Sequence, residues 1–174
     1  MKRLFCIVIL LLMVTLRLSA HQKDSITVYY FMLEECKICQ YYTPTMIDFY
    51  DKYNSDQIGF VGLFPNHFSS PDNIQTFKAK YAIPFPLKKE FFLSRTNQFG
   101  VKLTPEVVVY NETTETVLYQ GRIDNSYYKL GRRRQVITHY ELRDVLDQIL
   151  AGEEVNVSAA PPIGCYISLS LIHI

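Results

Sequence analysis

The sequence has no tryptophan, and its 174 residues include only 7 glycines, 8 prolines and 4 cysteines. Four cysteines are too few for a small scaffold held together by disulfide bonds, and a chain of this length can bury a hydrophobic core without disulfide cross-links. The 18 lysines and arginines are balanced by 17 aspartates and glutamates, so no basic excess points to nucleic-acid binding. Because 48% of the residues are hydrophobic, an intrinsically disordered chain is also excluded. The composition predicts one domain, alone or with a targeting segment.

The amino-terminal segment has the pattern of a secretory signal. Residues 1–3 carry two basic side chains, residues 4–16 are apolar, and a short tail ends at the small residue Ala20. The apolar run is shorter than the roughly 20 residues that a membrane-spanning helix needs, which favours a cleaved signal over an anchor. We therefore expect residues 1–20 to direct export to the periplasm or the extracellular space and to carry Cys6 away. Membrane contact is expected only through an uncleaved signal segment.

The carboxy-terminal residues 169–174 read LSLIHI. The nucleotides CTG TCT CTT ATA CAC ATC encode this peptide, and that string resembles a transposase adapter of sequencing libraries. We expect residues 169–174 to be foreign to the natural chain, which then departs from this sequence after Ser168; the alternative is an ordinary apolar tail or strand. For this reason His173 is not considered as a ligand.

Hydrophobic patterning between residues 21 and 168 predicts alternating strands and helices. Buried-type apolar runs predict strands at 25–33, 58–64, 105–110 and 116–119. Apolar residues at three- and four-residue spacing predict helices at 36–53, 71–81 and 140–151, and a short helix at 91–99. This order predicts an α/β domain over residues 21–168, with a mixed central β-sheet flanked by helices.

Cys36 and Cys39 are separated by two residues at the point where a buried strand gives way to a helix. Two cysteines with this spacing at a helix start can close a small disulfide. The free N–H groups of the first helical turn favour a thiolate at Cys36, and the Lys37 cation is expected to activate it further. The thiolate is the attacking species in disulfide exchange. We expect Cys39 to resolve the resulting mixed disulfide.

A permanent structural disulfide and a metal site are the alternatives for this pair. A disulfide that closes so few residues adds little loop-closure stability, which disfavours a purely structural role. A zinc site needs further ligands at suitable spacing, and the sequence has no second Cys-x-x-Cys pair, while His21, His67 and His139 are scattered. The sequence therefore predicts no metal and no cofactor other than a redox-active Cys36–Cys39 disulfide.

Residues 31–39 followed by Pro44 resemble the thioredoxin family, in which a proline follows the second cysteine by five positions. Leu103-Thr104-Pro105 resembles the cis-proline loop of that family, which faces the cysteine pair. A cis bond there would explain a proline that leads a core strand. The resemblance implies a thioredoxin fold, in which the backbone of Thr104 and Pro105 can pair with a substrate chain.

The gap between these two motifs is long for a minimal thioredoxin. It resembles the redoxin branch, the alkyl hydroperoxide reductase/thiol-specific antioxidant superfamily, which implies an inserted strand and helix between the Cys-x-x-Cys helix and the cis-Pro strand. Further stretches resemble secreted bacterial redoxin-domain proteins: 99–106, 119–124, 142–152 and 162–167. Two departures are Lys37, where that group commonly has proline, and Tyr30, where thioredoxin keeps a buried acid. Glu34 or Glu35 would be the substitute acid, unless both are solvated loop charges.

Cys165 is the odd thiol that remains once the signal segment is removed. It follows Gly164 after two consecutive prolines, and three roles stay open: an additional redox thiol that resolves Cys36, a bond to a partner, or a small buried apolar residue. Arg122 and Asp124 are similarly open, either as a rim for a substrate or as a structural ion pair and turn cap.

The function expected from the sequence is that of an exported thiol–disulfide oxidoreductase, which exchanges electrons with protein disulfides and dithiols and with an unidentified redox partner. Nucleic acid is not an expected partner. The alternatives are a copper-delivery module and a non-catalytic thioredoxin-like binding module. A peroxidase of the peroxiredoxin type is less expected, because such enzymes need Thr or Ser three residues before the reactive cysteine, and Leu33 stands there before Cys36.

Overall fold

The structure is a computed structural model that describes residues 24–168. The expected signal segment 1–20 and the suspected adapter residues 169–174 lie outside the described residues, and both interpretations stay predictions. Between residues 24 and 168, no helix combines the length and the apolar character that crossing a membrane requires.

A five-stranded mixed sheet forms the centre of the described chain. The strands of the described chain are β1 (Ile26–Phe31), β2 (Ile58–Phe64), β3 (Leu87–Lys89), β4 (Leu103–Thr104), β5 (Glu106–Asn111), β6 (Thr116–Gly121), β7 (Tyr127–Lys129), β8 (Arg132–Arg133) and β9 (Cys165–Tyr166). The strand order of the central sheet is β3-β2-β1-β5-β6, in which β1 runs parallel to β2, β2 runs parallel to β3, and β5 runs antiparallel to both β1 and β6. Two short antiparallel pairs, β4–β9 and β7–β8, lie outside this sheet. The helices are α1 (Lys37–Tyr53), α2 (Pro71–Tyr81), α3 (Ser94–Phe99) and α4 (Glu141–Ala151).

Strand β1 lies in the middle of the sheet, and both of its faces are covered. Val28 and Tyr30 belong to a large core cluster that also receives the buried faces of α1, α2 and α4. Tyr29 and Phe31 point to the opposite side, into a smaller cluster with Phe99 at the end of α3. A strand buried on both faces has no polar alternation, which is why its sequence is a continuous apolar run.

The segment between α1 and β5 contains two strand–helix units, β2–α2 and β3–α3. The second unit is the additional strand and helix that the family resemblance implies. The expected bounds of β2 and α2 are confirmed. Ser70 begins α2 as a capping residue, because its Oγ accepts a hydrogen bond from the backbone N–H of Asn73 at 3.1 Å.

The expected helix over 91–99 begins only at Ser94. Leu93 takes a left-handed conformation with φ of 52°, which breaks helical geometry before that point. The Glu90 carboxylate then caps the helix, since it accepts hydrogen bonds from the backbone N–H groups of Arg95 at 2.5 Å and Thr96 at 3.0 Å. Sequence patterning did not predict the short strands β3, β4, β7, β8 and β9.

The packing of α4 gives a matched test of the core. Leu142 is fully buried, whereas Leu150 on the same helix is 56% exposed. We expect Leu142→Ala to lower the free energy of unfolding by about 2–5 kcal/mol, because it removes a buried side chain and leaves a cavity. Leu150→Ala should change it by no more than about 0.5 kcal/mol. Urea denaturation of the reduced protein measures both values, and equal effects of the two substitutions would contradict this packing.

Candidate active site

The two cysteines lie where the polypeptide leaves β1 and enters α1. The Cys36 backbone N–H donates to Leu33 O at 3.1 Å, and Cys36 O accepts the first helical hydrogen bond from Gln40 N at 2.9 Å. Cys36 is therefore the capping residue of α1, with extended backbone angles. Cys36 is 2% exposed, and Cys39, one turn further along the helix, is fully buried.

The Thr104-Pro105 loop faces Cys36. The peptide bond between these residues is cis, which confirms the expectation from the sequence. Pro105 precedes β5, and the first residue of β5, Glu106, is paired with Phe31 at the end of β1. This register brings the loop beside the start of α1. The Cys36 Sγ atom lies 3.4 Å from Thr104 O, close enough for a protonated thiol to donate a hydrogen bond.

The environment of the pair separates the pKa values of its two thiols. The largest effect on the pKa of Cys36 is a hydrogen bond from the Cys39 thiol, which lowers it. Hydrogen bonds from the Cys165 thiol and from the backbone of Cys39 and Ile38 lower it further. Together these hydrogen bonds outweigh burial, which raises the pKa, and bring the pKa of Cys36 to about 5. Burial raises the pKa of Cys39 well above its usual value, and the neighbouring Cys36 raises it further. At neutral pH the site therefore holds a thiolate at Cys36 and a thiol at Cys39.

Cys165 is the third thiol of this site. Strand β9 pairs antiparallel with β4, so that Cys165 is opposite Thr104. Burial raises the pKa of Cys165 to about 12, with a further contribution from its hydrogen bond to Cys36 and from the Cys36 charge. All three cysteines are free in this structure. The sequence left three roles open for Cys165, and this position next to Thr104 and Cys36 fits the role of an additional redox thiol.

Lys37 is exposed on the first turn of α1. Its ammonium group donates to Gln40 Oε1 at 3.2 Å. The main groups that lower the Cys36 pKa are instead thiols and backbone amides. An activating role for Lys37 stays a prediction.

No acidic side chain occupies the place of the buried acid of thioredoxin. Tyr30 is fully buried there between Phe60 and Phe85, and its hydroxyl has no hydrogen-bond partner among the described residues. Glu34 is held by Ser69, whose Oγ donates to the Glu34 carboxylate at 2.5 Å, and Glu35 is exposed.

A tyrosine cluster beside the thiols was not predicted from the sequence. Tyr127, on the β7–β8 hairpin, lies edge-on to Tyr41 with ring centroids 5.3 Å apart, and the Arg133 guanidinium lies 4.7 Å from the Tyr41 ring centroid. Burial raises the pKa of Tyr127, and the Cys36 charge adds to this rise. Tyr127 therefore lies within electrostatic reach of Cys36. The sequence signal for this cluster is the pair Tyr127-Tyr128 close to the three arginines at 132–134.

The structural alternative for Arg122 and Asp124 is the one observed. Arg122 forms an ion pair with Glu141, with Nη2 and Oε1 2.5 Å apart. The Asp124 carboxylate accepts hydrogen bonds from the Tyr42 hydroxyl at 2.5 Å and from the Ser126 backbone N–H at 2.7 Å. These contacts join α1, α4 and the segment after β6.

Across residues 24–168, no group of three or more histidine, cysteine, aspartate or glutamate side chains is arranged to hold a metal ion. The site instead has the components of thiol chemistry. It contains a cysteine with a lowered pKa, a second thiol one helical turn further along α1, and a backbone carbonyl 3.4 Å from the first sulfur.

Comparison with solved structures assigns the fold. The chain is similar to an uncharacterised conserved protein from Geobacillus kaustophilus, with a TM-score of 0.76, 21% identity, and coverage of 87% of this chain and 81% of that one. A hypothetical protein from Sinorhizobium meliloti 1021 gives a TM-score of 0.73, 21% identity, and coverage of 86% and 82%. A thioredoxin-like protein solved in its oxidised form gives a TM-score of 0.55, 19% identity, and coverage of 75% and 81%.

No protein-family model matches the sequence, and no curated protein does. The structural similarities nevertheless define an α/β thioredoxin-like fold, whose central mixed sheet is flanked by helices. The Cys36-x-x-Cys39 pair lies at the start of α1 in that fold.

The proximity of three thiols predicts an ordered set of pKa changes. In the reduced protein, the rate of Cys36 alkylation by iodoacetamide should follow a titration with a midpoint at about 5. Cys39→Ala should raise this midpoint most, because it removes the strongest hydrogen bond to the thiolate, and Cys165→Ala should raise it less. Mass spectrometry of the alkylated peptide measures the rate at each pH. A midpoint near 9.0, the usual thiol value, or a larger effect of Cys165→Ala, would contradict this account of the site.

Proposed function

We propose that this protein is a thiol–disulfide oxidoreductase that exchanges electrons with disulfides and dithiols of other proteins through Cys36 and Cys39. The observation that carries the proposal is the placement of Cys36 and Cys39 one turn apart at the start of α1, with the cis Thr104-Pro105 loop 3.4 Å from Cys36 Sγ. The lowered pKa of Cys36 beside the raised pKa of Cys39 supports it. A thiolate with a low pKa is both an effective attacking sulfur at neutral pH and a good leaving group when the pair is oxidised.

In the reducing direction, the Cys36 thiolate attacks one sulfur of a substrate disulfide. The substrate S–S bond breaks, a mixed disulfide forms at Cys36, and the leaving substrate thiolate takes up a proton. The negative charge on Cys36 is now gone. In the reduced protein, the Cys36 charge and the hydrogen bond to Cys36 both raise the pKa of Cys39. Both effects are lost in the mixed disulfide, so Cys39 ionises more readily.

The Cys39 thiolate then attacks Cys36 Sγ. The mixed disulfide breaks, the second substrate thiol leaves, and the Cys36–Cys39 disulfide forms. The protein has lost two electrons and the Cys39 proton, and the substrate has gained two electrons and two protons, one of which comes from water. The reverse sequence oxidises a substrate dithiol, and the direction in the cell depends on the reduction potential of the pair relative to its compartment.

The backbone of Thr104 and Pro105 is the proposed substrate-binding edge. Its carbonyl lies beside Cys36, so an extended substrate chain added along this edge would place its own cysteine at the thiolate. The secretory pattern in residues 1–20 supports work in an exported, oxidising compartment, with partner proteins that supply or accept electrons.

Reduction of insulin disulfides by dithiothreitol tests the proposal. We expect the protein to accelerate insulin precipitation and Cys36→Ser to abolish this acceleration, because a serine hydroxyl does not ionise near neutral pH and cannot take the place of the thiolate. Circular dichroism of the Cys36→Ser variant checks that the fold is retained. Full activity of a folded Cys36→Ser variant would contradict the proposal.

A further inference from the structure

The chain after α4 returns to the thiol site and covers it. Ala160 O accepts a hydrogen bond from Arg122 N at 3.1 Å, and Ile167 N donates to Lys102 O at 3.0 Å. Between these two anchors, Ile163 and Cys165 pack against the main core cluster. We call residues 153–168 the C-terminal strap. It lies over the same β4 edge at which a substrate chain is proposed to bind.

The strap approaches this edge at backbone contact distance. A Cβ atom added to Gly164 would lie 2.0 Å from Thr104 O and 2.6 Å from Thr104 C. Only a residue without a side chain fits there. Gly164 therefore permits β9 to pair with β4, and the next residue along the strap, Cys165, is opposite Thr104.

Thr104 joins the two cysteines in space. Its carbonyl oxygen lies 3.4 Å from Cys36 Sγ, and its hydroxyl donates to Cys165 O at 3.4 Å. The strap thus forms an antiparallel strand on the substrate edge and carries a cysteine next to the attacking sulfur. This is the arrangement expected of a bound substrate chain with its own cysteine.

We propose that Cys165 is a third redox-active thiol, held by β9 at the place of a substrate cysteine, and that Cys36 exchanges its disulfide bond between Cys39 and Cys165. The inference rests on the proposed function, since it requires a reactive Cys36. In this proposal the strap occupies the place of a substrate chain. An external protein must displace the strap to reach Cys36, because Cys36 is only 2% exposed.

The exchange needs no external oxidant. In the oxidised protein, the Cys165 thiolate attacks Cys36 Sγ, the Cys36–Cys39 bond breaks, and the Cys36–Cys165 bond forms. The proton of Cys165 passes to the Cys39 thiolate, so the number of electrons in the protein is unchanged. Two of the causes that raise the Cys165 pKa, the hydrogen bond to Cys36 and the Cys36 charge, are absent once Cys36 is in a disulfide.

A Cys39→Ser variant isolates this step. The reduced variant is treated with oxidised glutathione, and its products are mapped by mass spectrometry without reduction. Cys36 should first form a glutathione adduct. Cys165 should then displace glutathione and leave a Cys36–Cys165 disulfide, so that one glutathione disulfide becomes two glutathione thiols. In the matched Cys39→Ser/Cys165→Ser variant the adduct should persist, with loss slower by at least about tenfold, because the neighbouring thiol is missing.

The outcomes separate the inference from the proposed function. A Cys36–Cys165 link in the single variant supports the inference. An adduct that persists equally in both variants overturns the inference but leaves Cys36 as a reactive thiol. If Cys36 forms no adduct in either variant, the proposed function fails, and the inference fails with it.

A glycine pair tests whether β9 positions the thiol. In the Cys39→Ser background, Gly164→Ala should slow formation of the Cys36–Cys165 disulfide by at least about tenfold, because the added Cβ forces the strap away from Thr104. Gly59→Ala is the control, since a Cβ at Gly59 meets nothing within 4 Å. Glutathione should still add to Cys36 in both variants. Equal rates of Cys36–Cys165 disulfide formation in the Gly164→Ala and Gly59→Ala variants would overturn the claim that β9 positions Cys165.

Discussion

The site depends on one constraint: the negatively charged sulfur of Cys36 must be stabilised although the residue is almost fully buried. A buried thiolate is costly unless donors compensate for the lost water. Here the donors are the Cys39 thiol, the Cys165 thiol and the backbone amides of the first turn of α1. The Cys39 thiol and the amides belong to α1 and the Cys165 thiol belongs to the C-terminal strap, so the charge is fully stabilised only when the strap lies against the start of α1.

The central sheet fixes where the segments that carry the thiols begin. Strand β1 ends at the turn that leads to Cys36, and its antiparallel pairing with β5 fixes Pro105 beside that turn. The core clusters on both faces of β1 then prevent the strand from shifting its register. The reactive groups can therefore lie on short, irregular segments, because a rigid central strand determines where those segments begin.

Much of this arrangement could be predicted from local sequence signals. The apolar run of β2 and the Ser70-Pro71 start of α2 gave their bounds directly, and the resemblance to thioredoxin located the cis bond before Pro105. The pairing of β9 with β4 could not be predicted, because it joins residues 61 positions apart through strands of two residues that have no periodic pattern. The sequence left contact between Cys165 and Cys36 as one of three roles, but nothing in it indicated that Cys165 lowers the Cys36 pKa. Lys37 was predicted to activate Cys36 because it is the adjacent residue, and that role stays a prediction.

The central claim is that Cys36 and Cys39 form a reversible disulfide whose reduced state is stabilised by the Cys36 thiolate. The most direct measurement is the fraction of oxidised protein across a series of glutathione redox buffers, determined by trapping free thiols with a mass label. The account predicts a two-electron transition with a midpoint between about −270 and −120 mV, the span of thioredoxin-fold dithiol enzymes. Cysteines that stay fully reduced in every buffer, or a disulfide that no buffer reduces, would contradict it.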